Sequence, residues 1–237
     1  MNPYQKLLNR KRTWTPVQTT AGKLKEGAEE TIYRALAMRH MELPVGEFIK
    51  DACAKDVPKG SFELLLSNIK DEERHDLALG YAANALGVDE KAEAEAKRLR
   101  KAWEDHPDHT VCKAMVAERS IFFVILPFFR FCGDAGLRTI SADISRDEQV
   151  HVAANSLVCK ELGVEPSQSL DKLRKATINW IMQPLGKHSD RFLDKKFWLD
   201  SSDRLMYEGK APQLSDTRSA RMPAFFEHSN VNLPQYA

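Results

Sequence analysis

The chain has 237 residues, enough for one sizeable core, and nothing in its organisation demands a second globular domain. Its 35 Lys and Arg nearly cancel its 34 Asp and Glu, which argues against a nucleic-acid or membrane-surface binder. The longest apolar run, 120–129, is interrupted by Pro127, flanked by Arg119 and Arg130, and too short to span a bilayer.

Residues 1–20 read as an irregular N-terminal arm. No basic-then-apolar leader opens it, because 6–12 runs into Trp14-Thr15-Pro16. A first helix is expected over 23–42, stopping before Pro44, since a proline pushes the residue ahead of it out of helical geometry. A shorter helix over 46–55 ends at Asp56-Val57-Pro58-Lys59-Gly60. Ser61 is the expected cap of a long helix over 62–86, closed by Gly87. Asp89 starts a very polar helix to about Trp103, spaced like a solvated connector. The turn Asp105-His106-Pro107-Asp108 leads into a strongly apolar helix over 109–131. Gly133 and Gly136 break the chain before a helix over 137–162, ended by Gly163, and further helices are expected over 167–185 and 189–207. From 208 to 237 Gly, Pro, Ser and charge take over, the composition of a flexible tail. Strand-like alternation is nearly absent, so the expectation is an all-α helical bundle over 21–207. Cys53, Cys112, Cys132 and Cys159 lie far apart without a Cys-x-x-Cys pair and read as small hydrophobes in a cytoplasmic protein.

Polar residues occupy the middle of the apolar faces. On the 109–131 helix Val111, Met115, Phe122, Ile125 and Phe129 form one stripe, and Glu118 sits on it. On the 137–162 helix Leu137, Ile140, Ile144, Val158 and Leu162 surround Glu148, His151 and Asn155. On the 62–86 helix Phe62, Leu65, Ile69, Leu79 and Leu86 flank Glu72 and His75. An ionised carboxylate in such surroundings is costly unless a cation neutralises it. Glu and His at i and i+3 lie roughly 60° apart around a helix and can reach one ion. Two such pairs and two further glutamates make the dimetal carboxylate set of ferritin-like bundles. Oxygen ligands with one imidazole per metal suit two iron or manganese ions rather than structural zinc. The fourth carboxylate is expected on the first helix. Glu29, sharing a face with Ile32 and Leu36, is preferred over Glu30, with Glu42 at the helix end as a third option. One Glu-x-x-His is commonplace on helix surfaces; two on separate long apolar stripes, with a buried Glu thirty residues earlier, are not.

The run Arg146-Asp147-Glu148-Gln149-Val150-His151 resembles the Arg-Asp-Glu-x-x-His motif of class I ribonucleotide reductase small subunits, which generate a radical for a separate catalytic subunit. The resemblance implies a radical-transfer wire in which Asp147 links His75 to Trp14 of Trp14-Thr15-Pro16, and it places the aromatic Phe122 four residues after Glu118. It further implies a homodimer, and a tail over 208–237 that docks on the large subunit, with Tyr236 or Tyr207 as relay. Where the family commonly keeps its radical tyrosine this chain has Leu79, which implies an oxidant held on the metals themselves and makes manganese as eligible as iron.

The Arg-Asp-Glu-x-x-His motif also occurs in small dimetal oxygenases of the aldehyde-deformylating type, which are close to this chain in length. That reading predicts an apolar tunnel beside the site and no role for Trp14 or the tail. Ferritin-like iron storage is a further alternative; it calls for acidic iron-entry channels, and no acidic cluster here points to them.

Overall fold

The computed structural model describes residues 2–218 and is built of helices and turns. The arm is not irregular throughout. Helix α1 (Pro3–Leu8) is capped by Asn2, whose side-chain oxygen accepts the Tyr4 N–H at 3.0 Å, and it buries Tyr4 and Leu7 against the bundle. The chain then runs without helix to α2 (Glu29–Ala37), a tight 3-10 turn (Met38–Met41) and α3 (Glu42–Lys55). Pro44 therefore lies inside a helix start, not beyond a helix end. In the first turn of α3 its missing N–H costs nothing, because those donors have no intrahelical acceptor.

Helix α4 (Phe62–Leu86) ends at Gly87, whose φ of +86° few other residues tolerate. Ser61 does not cap it as expected; its hydroxyl donates to the Pro58 carbonyl at 2.7 Å. Asp89 opens α5 (Glu90–Glu104) by accepting the Ala92 N–H at 2.7 Å. This connector is wet on one side only: Trp103 is fully buried and donates to Thr177 Oγ1 at 3.1 Å. The apolar helix is α6 (Thr110–Ala117) and α7 (Phe123–Cys132), joined by a wide π turn over Glu118–Phe122. Helix α8 (Ala135–Leu162) is capped by Asp134 and ended by Gly163 at φ +66°. Helices α9 (Gln168–Met182) and α10 (Lys195–Glu208) pack outside, and 3-10 turns over Pro212–Arg218 bury Leu214 and Thr217. Order thus continues into the segment expected to be a tail. Residues 219–237, with Tyr236 and the segment expected to dock, lie outside the described residues.

Four members form a ring, α6 and α7 counting as one interrupted helix: α3 packs on α4 and α6, and α8 packs on α4, α6 and α7. These elements bury Ile49, Leu64, Leu65, Phe128 and Phe129, each essentially water-free and stabilising by roughly 1.5–3 kcal/mol. Phe62, counted on the α4 stripe from sequence, is instead exposed with Leu66 and Leu77. Cys53, Cys112, Cys132 and Cys159 are free thiols, although the fold sets Cys112 Sγ 3.7 Å from Cys159 Sγ. Among the described residues no helix is long and apolar enough to cross a membrane.

Candidate metal centre

Each member of the ring sends carboxylates to one point. Glu42 comes from the first turn of α3, Glu72 and His75 from α4, Glu118 from the π turn, and Glu148 and His151 from α8. None of the six exposes more than 1% of its surface. They fall into two groups that share Glu72: Glu42, Glu72, His75 and Glu148, and Glu72, Glu118 and His151, with potential ligand atoms within 4.8 Å of one another in each. His75 Nδ1 lies 3.3 Å from Glu148, 3.4 Å from Glu72 and 3.7 Å from Glu42. His151 Nδ1 lies 2.9 Å from Glu72, 3.7 Å from Glu118 and 3.8 Å from Glu148. Glu72 and Glu148 thus reach both imidazoles, whereas Glu42 and Glu118 each terminate one side.

The outer nitrogens of the histidines are held by aspartates. His75 Nε2 lies 3.2 Å from Asp147 Oδ2, which also accepts the Trp14 indole N–H at 2.7 Å. The Trp14 and His75 rings stack with centroids 6.2 Å apart. His151 Nε2 lies 2.9 Å from Asp71 Oδ2. Such outer contacts leave Nδ1 of each ring free to face a metal. Asn155 donates to Glu118 Oε2 at 2.7 Å. The π turn that carries Glu118 is supported from α10, where the Ser202 hydroxyl donates to the Ser120 carbonyl at 2.7 Å and itself accepts from the buried Arg174. Turns of this kind are rare and recur at functional sites.

Inside this cluster the usual rule for buried polar groups fails. Both oxygens of Glu42, Glu72 and Glu148, Oε1 of Glu118, and Nδ1 of His75 and His151 have no well-formed hydrogen bond. Leaving carboxylates dry and unpaired costs several kcal/mol each. The orphaned atoms all converge on the same interior point, so the residues present fit a pair of cations. Burial, reinforced by neighbouring carboxylates, holds Glu42 and Glu118 well above the ordinary carboxylate range. For Glu72 burial acts upward, but His151 and His75 outweigh it and hold it low. Burial opposes the charged form of both histidines, and the surrounding carboxylates still raise them. Shifts in this direction favour the protonated forms, and an incoming cation displaces the protons these groups hold. Metal uptake is therefore expected to release protons and to tighten as pH rises. An indicator dye in weakly buffered anaerobic solution measures this; uptake without proton release would contradict it.

The structure brings together five of the six residues singled out as ligands from sequence: Glu72, His75, Glu118, Glu148 and His151. Glu29 is corrected. It is exposed at the start of α2, and Glu30 pairs at the surface with Arg34 at 2.8 Å. Glu42 stands in the cluster instead, because the 3-10 turn before it starts a new helix whose first residue faces inward. Asp71 was missed. A signal existed, for Asp-Glu-x-x-His occurs twice, at 71–75 and 147–151. His109 caps α6, its Nδ1 accepting the Val111 N–H at 3.2 Å.

No protein-family model matches the chain, and no curated protein matches it at a significant level. A solved structure from Bacillus halodurans, provisionally described as a class I ribonucleotide reductase, aligns with 94% of this chain and 93% of its own, with a TM-score of 0.64 and 16% identity. A likeness at that identity speaks for architecture: the chain is an all-α ferritin-like bundle with the fold of that protein, and its buried carboxylate and histidine group fits a dimetal site.

Proposed function

We propose that this chain is the radical-generating small subunit of a class I ribonucleotide reductase, holding two iron or manganese ions on Glu42, Glu72, His75, Glu118, Glu148 and His151. The observation that carries the reading is the unbroken contact chain from Trp14 Nε1 through Asp147 Oδ2 to His75 Nε2. Dimetal oxygenases of the aldehyde-deformylating type give Trp14 no task, whereas here the half-buried arm delivers its indole to the back of the cluster.

When bound, the metal pair supplies a one-electron oxidant, as cofactors carry the chemistry that side chains cannot. The protein's part is position and insulation. Asp147 fixes the His75 ring with Nδ1 inward and accepts the indole N–H, so one carboxylate connects arm and cluster. Leu79, Phe122, Ile125 and Ile144, all buried, keep water and stray reductants away from the carboxylates. Leu79 stands where the family's tyrosine would be, and Tyr81 is partly exposed, which supports an oxidising equivalent kept on the metals. Ribonucleotide reduction would occur on a large-subunit partner that the segment beyond residue 208 docks on, with Tyr236 as the relay, and the small subunit itself would be a homodimer.

Elemental analysis of protein expressed with both metals available tests this, followed by electron paramagnetic resonance after exposure to oxygen or superoxide. About two ions per chain and a metal-centred signal without a tyrosyl radical are expected. Absence of metal under every loading condition would overturn the centre. Two ions with full activity on a long-chain aldehyde would move the assignment to the oxygenases.

A further inference from the structure

The two Asp-Glu-x-x-His runs are arranged reciprocally. Asp147 on α8 holds His75 of α4, and Asp71 on α4 holds His151 of α8. Their outer surroundings differ. Asp147 ends on the indole of Trp14, while Asp71 ends on two cations, forming ion pairs with Lys11 and Arg74. Lys11 is the more deeply placed of the two. Its side chain is 9% exposed against 26% for Arg74, and its ammonium also donates to the buried Asn68 Oδ1 at 2.8 Å. Arg74 is shared, because it also lies 3.8 Å from Asp147 and over the Trp14 ring. Lys11 therefore belongs to the Asp71 side as Trp14 belongs to the Asp147 side, three residues apart on one strap of the arm.

A nearly dry ammonium is expensive unless both its charge and its donors are met. Nothing in the electron path proposed above uses it. We infer that Lys11 is a positioning residue for His151: docked on Asp71 and Asn68, it aims the Asp71 carboxylate at His151 Nε2 and so presents Nδ1 to the side of the centre formed by Glu72 and Glu118. The inference rests on the metal-centre reading. It makes the arm a part of the centre, with Lys11 and Trp14 serving the two imidazoles from outside.

The test is an anaerobic titration of the full chain with cobalt(II), followed by calorimetry and visible absorption, on wild type, Lys11→Met and Lys11→Gln. The glutamine variant retains a donor for Asn68 and removes the charge. Both variants should bind the first equivalent as wild type does and the second about 10–100-fold more weakly, the usual cost of losing such an outer contact. In metal-free protein with 15N-labelled histidine, the ring signal of His151 should shift while that of His75 stays. Two equivalents bound as in wild type, or equal weakening of both, would overturn the role of Lys11 and leave the centre standing. A wild type that takes up no cobalt overturns the centre and this inference together. If Lys11→Met does not fold, Lys11→Gln decides by the same criterion.

Discussion

Glu118→Ala is expected to take the protein from about two bound ions per chain to one at most, with its helix content largely intact. Glu118 is fully buried in the π turn, its Oε2 held by Asn155 and its Oε1 without a partner 3.7 Å from His151 Nδ1. Removing it leaves the His151 side with Glu72 and Glu148 alone. In the metal-free state the change also removes a carboxylate that burial and neighbouring charges oppose, so metal-free variant and wild type should melt at similar temperatures. The difference appears on loading. A ligand present at a hundred times its Kd stabilises the folded state by about 2.7 kcal/mol. For a chain of this size each kcal/mol moves Tm by roughly 2–4 °C, so metal should raise the wild-type Tm by roughly 5–11 °C. Glu118→Ala should lose most of that rise. Unchanged stoichiometry and an unchanged metal-induced shift would sink the assignment of this carboxylate.

The second large effect is a contrast between two glutamates. Glu42→Ala should empty the side of the centre that faces His75, because among the described carboxylates near His75 Nδ1, Glu72 and Glu148 also lie near His151 Nδ1 and Glu42 does not. Glu29→Ala should change neither metal content nor activity, and stability by no more than about 0.5 kcal/mol, as for an exposed side chain. Parallel metal analysis of the two variants checks this directly. Loss of metal in Glu29→Ala with retention in Glu42→Ala would reverse the placement of the fourth carboxylate.

Much of this architecture was legible in the chain. The boundaries of α4 and α8 follow from local chemistry: Gly87 and Gly163 stop helices at positive φ, and the periodic apolar stripes need no knowledge of partners. The burial of Glu72, His75, Glu118, Glu148 and His151 was likewise readable, since each lies on such a stripe. The link between Trp14 and Asp147 came from a resemblance, and 133 residues separate the two. Glu42 was harder because Pro44 is ambiguous. A proline marks the residue beyond one helix and the first turn of the next equally well, and only the 3-10 turn at Met38–Met41 decides which.

The sequence by itself determined the all-α class, the main helices and five of the six residues in the cluster, because helical periodicity and caps are local and a buried charge stands out on an apolar stripe. The tertiary structure alone decided that Glu42 completes the cluster, that a π turn aims Glu118, and that Asp71 and Lys11 stand behind His151. Asp71 lies about 100° around α4 from Glu72, on a side that α4 by itself leaves without meaning. It acquires a role only when α8 sets His151 against it and the arm lays Lys11 over it, and both contacts depend on how separately folded segments pack.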